Sequence, residues 1–106
     1  MPRLAIWAQL EAKAGKEHAV EEFLKSGASL AESEPQTHSW YAVKLGPASY
    51  AVFDTFADEA GRNAHLTGEI AKALFAKAEE LLAKAPEIHK IEVLAAKNVS
   101  AAKAAS

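Results

Sequence analysis

The chain has 106 residues, half of them hydrophobic and a quarter charged, which is the balance of a folded protein with one core. A net charge of -2 and singly scattered basic residues disfavour nucleic acid as a partner. There is no cysteine for a disulfide or a thiolate metal site, and no apolar run of membrane-spanning length. We therefore expect a cytoplasmic protein with one domain over residues 1–97 and a loose Ala/Ser-rich tail over residues 98–106.

The first half of the chain predicts a strand, a helix and a hairpin. Residues 4–12 contain few strand breakers and end at a glycine turn, which indicates a first strand. From Glu17 the apolar residues recur every three or four positions, which predicts a helix that ends before Pro35. Residues 38–45 and 50–56 are strand-like on either side of a Gly-Pro turn, which predicts a hairpin.

The second half predicts two helices and a last strand. Asp58 is placed to cap a short helix that runs to about Leu66, and Thr67 to cap a longer one that ends before Pro86. Residues 88–97 then predict a fourth strand. The resulting βαββαβ order predicts an α+β, ferredoxin-like fold, in which an antiparallel sheet carries its helices on one face.

The second face of this sheet also carries apolar residues. Successive strand residues point to opposite faces of a sheet. Adjacent apolar residues nevertheless occur in three predicted strands, as Ile6 with Trp7, Trp40 with Tyr41, and Val52 with Phe53. Since the helices cover only one face, we expect a second copy of the chain to cover the other, in a homodimeric α/β barrel.

The same strand order occurs in RNA-recognition modules, which stack bases on aromatic residues of the first and third strands. Aromatic residues do stand on these strands, namely Trp7, Tyr50, Phe53 and Phe56. The basic-Gly-aromatic opening of the RNA-binding motif is missing, however, and the net charge is slightly negative. We therefore expect no nucleic-acid partner.

No motif in the chain indicates a metal or a nucleotide cofactor. The four histidines, at positions 18, 38, 65 and 89, form neither an HxH nor an HExxH pair. Glu87 and His89 share a face of the last strand, where a solvated strand end is the ordinary explanation. The chain also has no GxGxxG, Walker or GxSxG motif, so we expect neither a metal nor a cofactor.

A small apolar pocket between the sheet and the last two helices is the remaining candidate site. Its polar lining is predicted to come from six residues: His65, Asn63, Asp54, His38, Trp40 and Tyr50. His65 is the first candidate for catalysis because an imidazole can act as acid or base near neutral pH.

Most of these residues also have a purely structural interpretation. His65 would hydrogen-bond the break between the two helices, and Asp54 would form an ion pair at an edge or interface. His38 would be an exposed residue at the start of a strand. Trp40 and Tyr50 would pack in the sheet or at an interface.

One stretch resembles a known family. The segments Phe53-Asp54-Thr55-Phe56, Asp58-Glu59-Ala60, Ala64-His65-Leu66 and Gly68 are similar to the antibiotic biosynthesis monooxygenase domain, and the resemblance covers about residues 3–97. The resemblance implies a homodimeric barrel. It also implies cofactor-independent oxidation of a small aromatic or quinol-like substrate, with His65 as base or proton relay. Asn63 and Trp40 would hold the substrate.

The family's haem-degrading branch has an asparagine on the first strand, a tryptophan on the second helix and a haem-ligating histidine about ten residues later. The corresponding positions of this chain hold Ala8, His65 and Phe75, so haem degradation is not expected. Phe75 is instead placed with the substrate-binding candidates. A non-catalytic dimeric ligand-binding module and a small-metabolite isomerase with His65 as proton shuttle are the alternatives.

Overall fold

A computed structural model describes residues 3–97. The elements follow the chain as β1 (Leu4–Glu11), α1 (Glu17–Glu32), β2 (Thr37–Lys44), β3 (Ser49–Phe56), α2 (Glu59–Leu66), α3 (Glu69–Leu81) and β4 (Glu87–Glu92). Within this range, the helices are all too short or too polar to cross a membrane. The tail predicted over residues 98–106 lies outside the described residues.

The strands form one antiparallel sheet in the order β2-β3-β1-β4. This is the order of a ferredoxin-like fold, so the predicted α+β class is confirmed for the single chain. The central strands β1 and β3 pair along their whole lengths, and the register sets Asp54 between Ile6 on one side and Trp40 on the other. Three side chains from three strands therefore meet on one face of the sheet.

The hydrophobic core lies on the helix-covered face, which carries the even-numbered residues of the strands. Its buried members are Ile6, Ala8, Leu10, Ala12, Val20, Leu24, Tyr50, Val52, Phe56, Leu81 and Leu82. The odd-numbered face carries Trp7 and Phe53, whose ring centroids lie 6.5 Å apart, and Tyr41, which is 53% exposed. Both faces are thus apolar in part, as the sequence predicts.

Two predicted boundaries are wrong. Helix α3 ends at Leu81 instead of continuing to Pro86, because Leu82 turns into an extended bridge with Ala12 at the end of β1. Strand β4 ends at Glu92 instead of residue 97. Its partner β1 begins at Leu4, opposite Glu92, and only one backbone hydrogen bond, from the Val93 N–H to the Arg3 carbonyl at 2.8 Å, follows that pair among the described residues.

The two predicted helix caps have different outcomes. Asp58 caps α2 as predicted, since its carboxylate accepts a hydrogen bond from the Gly61 N–H at 2.9 Å. The prediction that Thr67 caps α3 is wrong, because Gly68 occupies that position without a side-chain bond. Thr67 instead closes α2, where its hydroxyl donates to the carbonyl of Asn63 at 3.1 Å.

Candidate functional site

A cavity of about 60 Å³ lies between the sheet and the helices. Its floor is formed by residues of the helix-covered sheet face: Ile6, Ala8, Trp40, Val52, Asp54 and Ile88. The helices supply the walls, which are apolar apart from His65 and Ser26. Two of the wall residues, Leu30 and Phe75, are 40% and 52% exposed and therefore mark the opening to solvent.

An imidazole stands between two carboxylates at this cavity. His65 Nε2 lies 2.7 Å from Asp54 Oδ2, and His65 Nδ1 lies 2.8 Å from Glu34 Oε1. His65 is 7% exposed and Asp54 only 1%, whereas the Glu34 side chain is 20% exposed. The three residues, which we name the acid–imidazole–acid cluster, therefore run from the cavity floor towards the surface.

The charge state of His65 follows from two opposing effects. Burial by itself lowers the pKa of His65, because a charged ring loses hydration. The contacts with Asp54 and then with Glu34 favour the charged ring, and together they outweigh burial, so the pKa of His65 lies above its ordinary value. The two neighbouring carboxylates thus make the folded protein bind a proton at His65 more tightly than a free imidazole would.

Local structure places each member of the cluster. Asp54 occupies an even position of β3 and so points towards the helices, and the chain enters α2 soon afterwards at the Asp58 cap. This short connection sets His65, in the last turn of α2, above the strand. Glu34 follows the end of α1, where Pro35 prevents further helix. The Thr37 hydroxyl donates to Glu34 Oε1 at 2.7 Å and fixes the carboxylate.

Two buried polar groups on the cavity floor lack hydrogen-bond partners. Trp40 Nε1 has none among residues 3–97, and neither carboxylate oxygen of Asp54 has one of normal geometry in that range. The 2.7 Å contact between Asp54 and His65 is thus an ion pair whose angles do not suit a hydrogen bond. Unsatisfied buried groups are few in folded proteins, so the Trp40 N–H and the Asp54 carboxylate call for an explanation.

Four of the predicted site residues line the cavity. His65, Asp54 and Trp40 meet there as polar groups, and Phe75 contributes an apolar ring at the opening. The structural alternatives for His65 and Asp54 were a hydrogen bond at the helix break and an ion pair at an edge or interface, whereas the two residues pair with each other in the interior. The catalytic and substrate-binding roles assigned to the four remain predictions.

The other three predicted residues lie outside the cavity lining. Asn63 precedes His65 by two residues, a rotation of about 200° around a helix, and it points to solvent. Tyr50 is buried about 13 Å further along β3 than Asp54, a distance set by the rise of a strand. His38 is exposed beside a β-bulge between Thr37 and Ser39.

Glu34 is the site residue that the sequence did not predict. It lies 31 positions from His65 in the chain, and no periodicity connects the two. The one local signal is an acidic residue directly before Pro35, since a residue in that position leaves the helical region and turns its side chain away from the helix surface.

The cluster is not arranged as a metal site. Within residues 3–97, no three or more His, Cys, Asp or Glu side chains are placed to hold one ion. In the cluster itself, the imidazole separates Glu34 from Asp54, so its three side chains do not converge on a common point.

Fold and site together define a ferredoxin-like α+β protein whose cavity contains a buried acid–imidazole–acid cluster. A solved structure of the NE2512 protein of unknown function from Nitrosomonas europaea is 54% identical, covers 92% of this chain and 94% of that one, and has a TM-score of 0.89. The chain therefore belongs to the same family as NE2512.

More distant structures share the fold. PA3566 from Pseudomonas aeruginosa is 18% identical over 90% of this chain and 97% of that one, with a TM-score of 0.77. A Nitrosomonas europaea protein named "Putative antibiotic biosynthesis monooxygenase" is 12% identical over 87% of this chain and 90% of that one, with a TM-score of 0.77. At these identities the likeness concerns the fold alone. No protein-family model and no curated protein matches the chain.

Proposed function

We propose that the protein is a cofactor-independent monooxygenase of a small aromatic or quinol-like substrate. The observation that supports this proposal is the acid–imidazole–acid cluster at the cavity floor, with an Asp54 carboxylate that lacks an aligned hydrogen-bond donor. A buried carboxylate beside an apolar cavity can take a proton from a phenolic hydroxyl group. The phenolate formed in this way is electron-rich enough to reduce dioxygen itself.

Asp54 is the proposed base, and His65 is the proposed relay. Both nitrogens of the His65 ring contact carboxylates, so the imidazole has no free nitrogen to present to a substrate. In the neutral ring that carries its proton on Nδ1, Nε2 can accept the proton that Asp54 has taken up, while the Nδ1 proton moves to Glu34. Because the Glu34 side chain is 20% exposed, the proton can then leave to water.

The overall reaction balances without an added reductant. One oxygen atom of O₂ forms a new C–O bond in place of a C–H bond of the phenol, and the other oxygen leaves as water. The phenol becomes a quinone and supplies the four electrons that dioxygen accepts. The protein supplies the base, the proton path and an apolar cavity that excludes water.

Oxygen consumption with a panel of phenols and quinols, in buffer containing a chelator, tests the proposal. Asp54→Asn keeps the shape of the side chain and removes the base, so turnover should fall by about 10²-fold or more, as for the loss of a general base. Glu32→Gln changes an exposed acid at the end of α1 that does not line the cavity, and it is the matched control. Wild-type turnover in Asp54→Asn would refute the mechanism.

A non-catalytic ligand-binding module is the second candidate. The observation that favours it is that the cluster is closed on itself, with both His65 nitrogens engaged by carboxylates. Thermal-shift measurements on the same panel separate the two candidates. A compound that raises the melting temperature without oxygen consumption supports the binding module, whereas both effects together support the monooxygenase.

We also propose that the odd-numbered sheet face pairs with a second copy of the chain. The support is that Trp7 and Phe53 lie together on this face, with Tyr41 53% and Val43 38% exposed beside them. Light scattering should give the mass of a dimer, and Tyr41→Lys should yield monomers because a charge would be buried. Leu94→Lys, at a 92% exposed residue outside the strands, is the control.

A further inference from the structure

The two unsatisfied groups on the cavity floor are a donor and an acceptor that stand side by side. Trp40 and Asp54 are directly opposite each other on β2 and β3, where facing Cβ atoms are about 5 Å apart. Trp40 Nε1 can only donate, and the Asp54 carboxylate can accept. A ligand that satisfies both must therefore carry an acceptor and a donor close together.

The position of the Trp40 ring is set by helix α1. A Cβ atom at Gly27 would lie 3.0 Å from both Cη2 and Cζ2 of Trp40, so the glycine allows the ring to pack directly on the helix. The indole N–H is thereby held on the cavity floor. This is a built site, since the donor is fixed by packing and Asp54 is fixed by burial and by its contact with His65.

The small volume of the cavity limits where a ligand's aromatic ring can carry its two oxygen atoms. A closed cavity that holds benzene has a volume of roughly 150 Å³. The cavity here, at about 60 Å³, encloses only one edge of such a ring. Oxygens on adjacent carbons share that edge, whereas oxygens at opposite ends of a ring do not. The rest of the ring would lie at the opening, between Leu30 and Phe75.

The charges around the floor select against anions. The cluster has two carboxylates and only one imidazole, so its formal charge is negative whether or not the ring is protonated. A ligand carboxylate would be repelled by Asp54 in a setting where water screens little. A neutral ligand with a hydroxyl group is favoured.

We propose that the cavity binds a neutral catechol, an aromatic ring with hydroxyl groups on adjacent carbons. One hydroxyl donates to Asp54, and the oxygen of the other accepts from Trp40 Nε1. This inference rests on the proposed function only in taking the cavity as the substrate site, and it narrows the substrate class from aromatic hydroxyl compounds to vicinal ones.

Calorimetric titration of the full chain under anaerobic conditions tests the proposal, with catechol, hydroquinone and benzoate as probes. Catechol should bind about tenfold more tightly than hydroquinone, the worth of one additional hydrogen bond in a buried site. Benzoate, an anion at neutral pH, should give no measurable heat of binding. Equal affinity for catechol and hydroquinone, or binding of benzoate as tight as that of catechol, would overturn the proposal.

Trp40→Phe removes the N–H and keeps an aromatic ring, so catechol affinity should fall to about that of hydroquinone, roughly tenfold, while hydroquinone affinity stays unchanged. Trp7→Phe, on the opposite face of the sheet, is the matched control. Equal losses for both ligands in Trp40→Phe would contradict the donor role. The wild-type comparison of probes remains decisive if this variant does not fold.

Binding and turnover separate the two proposals. Catechol binding of the expected selectivity without oxygen consumption would refute the monooxygenase and leave the catechol site standing. Oxygen consumption with hydroquinone at the same affinity as catechol would refute the catechol site and leave the monooxygenase standing.

Discussion

Two glutamates near the opposite ends of helix α1 join that helix to other elements, and their surroundings differ. Glu21 accepts hydrogen bonds from the Tyr50 hydroxyl at 2.8 Å and from the Lys44 ammonium at 2.7 Å. The side chains of Glu21 and Lys44 are 27% and 54% exposed, so water reaches them. Burial and then Glu21 raise the pKa of Tyr50, which keeps its hydroxyl group protonated as a donor. Because Glu21 is hydrogen-bonded to both Tyr50 and Lys44, a purely structural role accounts for this contact.

Glu34, just beyond the other end of α1, belongs to the acid–imidazole–acid cluster. A purely structural role does not account for all the polar groups of this cluster. His65 and Asp54 are buried, and the Asp54 oxygens lack an aligned donor within the described residues. Two ionic contacts that each include a glutamate thus differ in character within one molecule. A satisfied, water-accessible contact holds elements together, whereas a buried and incompletely satisfied one marks the candidate site.

The largest loss of stability is expected when the buried contact is truncated. His65→Ala leaves Asp54 buried without its counter-charge, so the free energy of unfolding should fall by about 3–5 kcal/mol. Chemical denaturation measures this loss. His18→Ala, at an exposed position of α1, is the matched control and should change stability by less than about 0.5 kcal/mol. A loss as small as the control's would mean that the buried pair is not formed.

The pH dependence of stability should also distinguish the buried cluster. Because the pKa of His65 is raised on folding, protonation of the ring stabilises the folded protein fully below its unfolded pKa of about 6.5. That stabilisation is lost as the pH rises through the folded pKa. The free energy of unfolding of the wild type should therefore fall over this range relative to His65→Gln. A constant difference between the two proteins would show that the ring does not titrate on folding.

Truncation at the exposed contact should have a smaller effect. Tyr50→Phe removes one hydroxyl and leaves Glu21 bonded to Lys44, so stability should fall by about 0.5–1.5 kcal/mol. Because Tyr50 lies outside the cavity lining, catechol affinity should remain at the wild-type value in calorimetric titration. A loss of catechol binding in this variant would show that the Glu21 contact also supports the candidate site, which would contradict the distinction between the two contacts.

Sequence patterns predict much of the fold because the relevant interactions are local or periodic. Alternation on the strands and three-to-four spacing on the helices are properties of neighbouring residues, and Asp58 caps a helix that begins at the next position. The ends of α3 and β4 were mispredicted because they depend on distant partners. Leu82 bridges Ala12, and β4 ends at Glu92, opposite the first residue of β1.

The candidate site was predicted only in part, for the same reason. Asp54 and His65 stood out as polar residues in an apolar strand and at a helix break. Glu34 did not stand out, because its role depends on a contact made by the tertiary fold. Tyr50 does not line the cavity: it shares the sheet face of Asp54 but lies at the other end of the strand, a difference that face alternation cannot detect.

The smallest expected change in stability comes from filling the space that Gly27 leaves for Trp40. In Gly27→Ala the new methyl group would lie 3.0 Å from the ring, but the ring borders the cavity and can shift into it. The better helix propensity of alanine, about 1 kcal/mol, should offset the cost of this shift, so stability should stay within about 1 kcal/mol of the wild type. Catechol affinity should nevertheless fall, because the moved ring displaces the indole N–H and narrows the cavity.

Gly46→Ala is the control for this prediction, since its Cβ would have no neighbour within 4 Å. Unchanged catechol affinity in Gly27→Ala would show that the site does not depend on the position of the Trp40 ring.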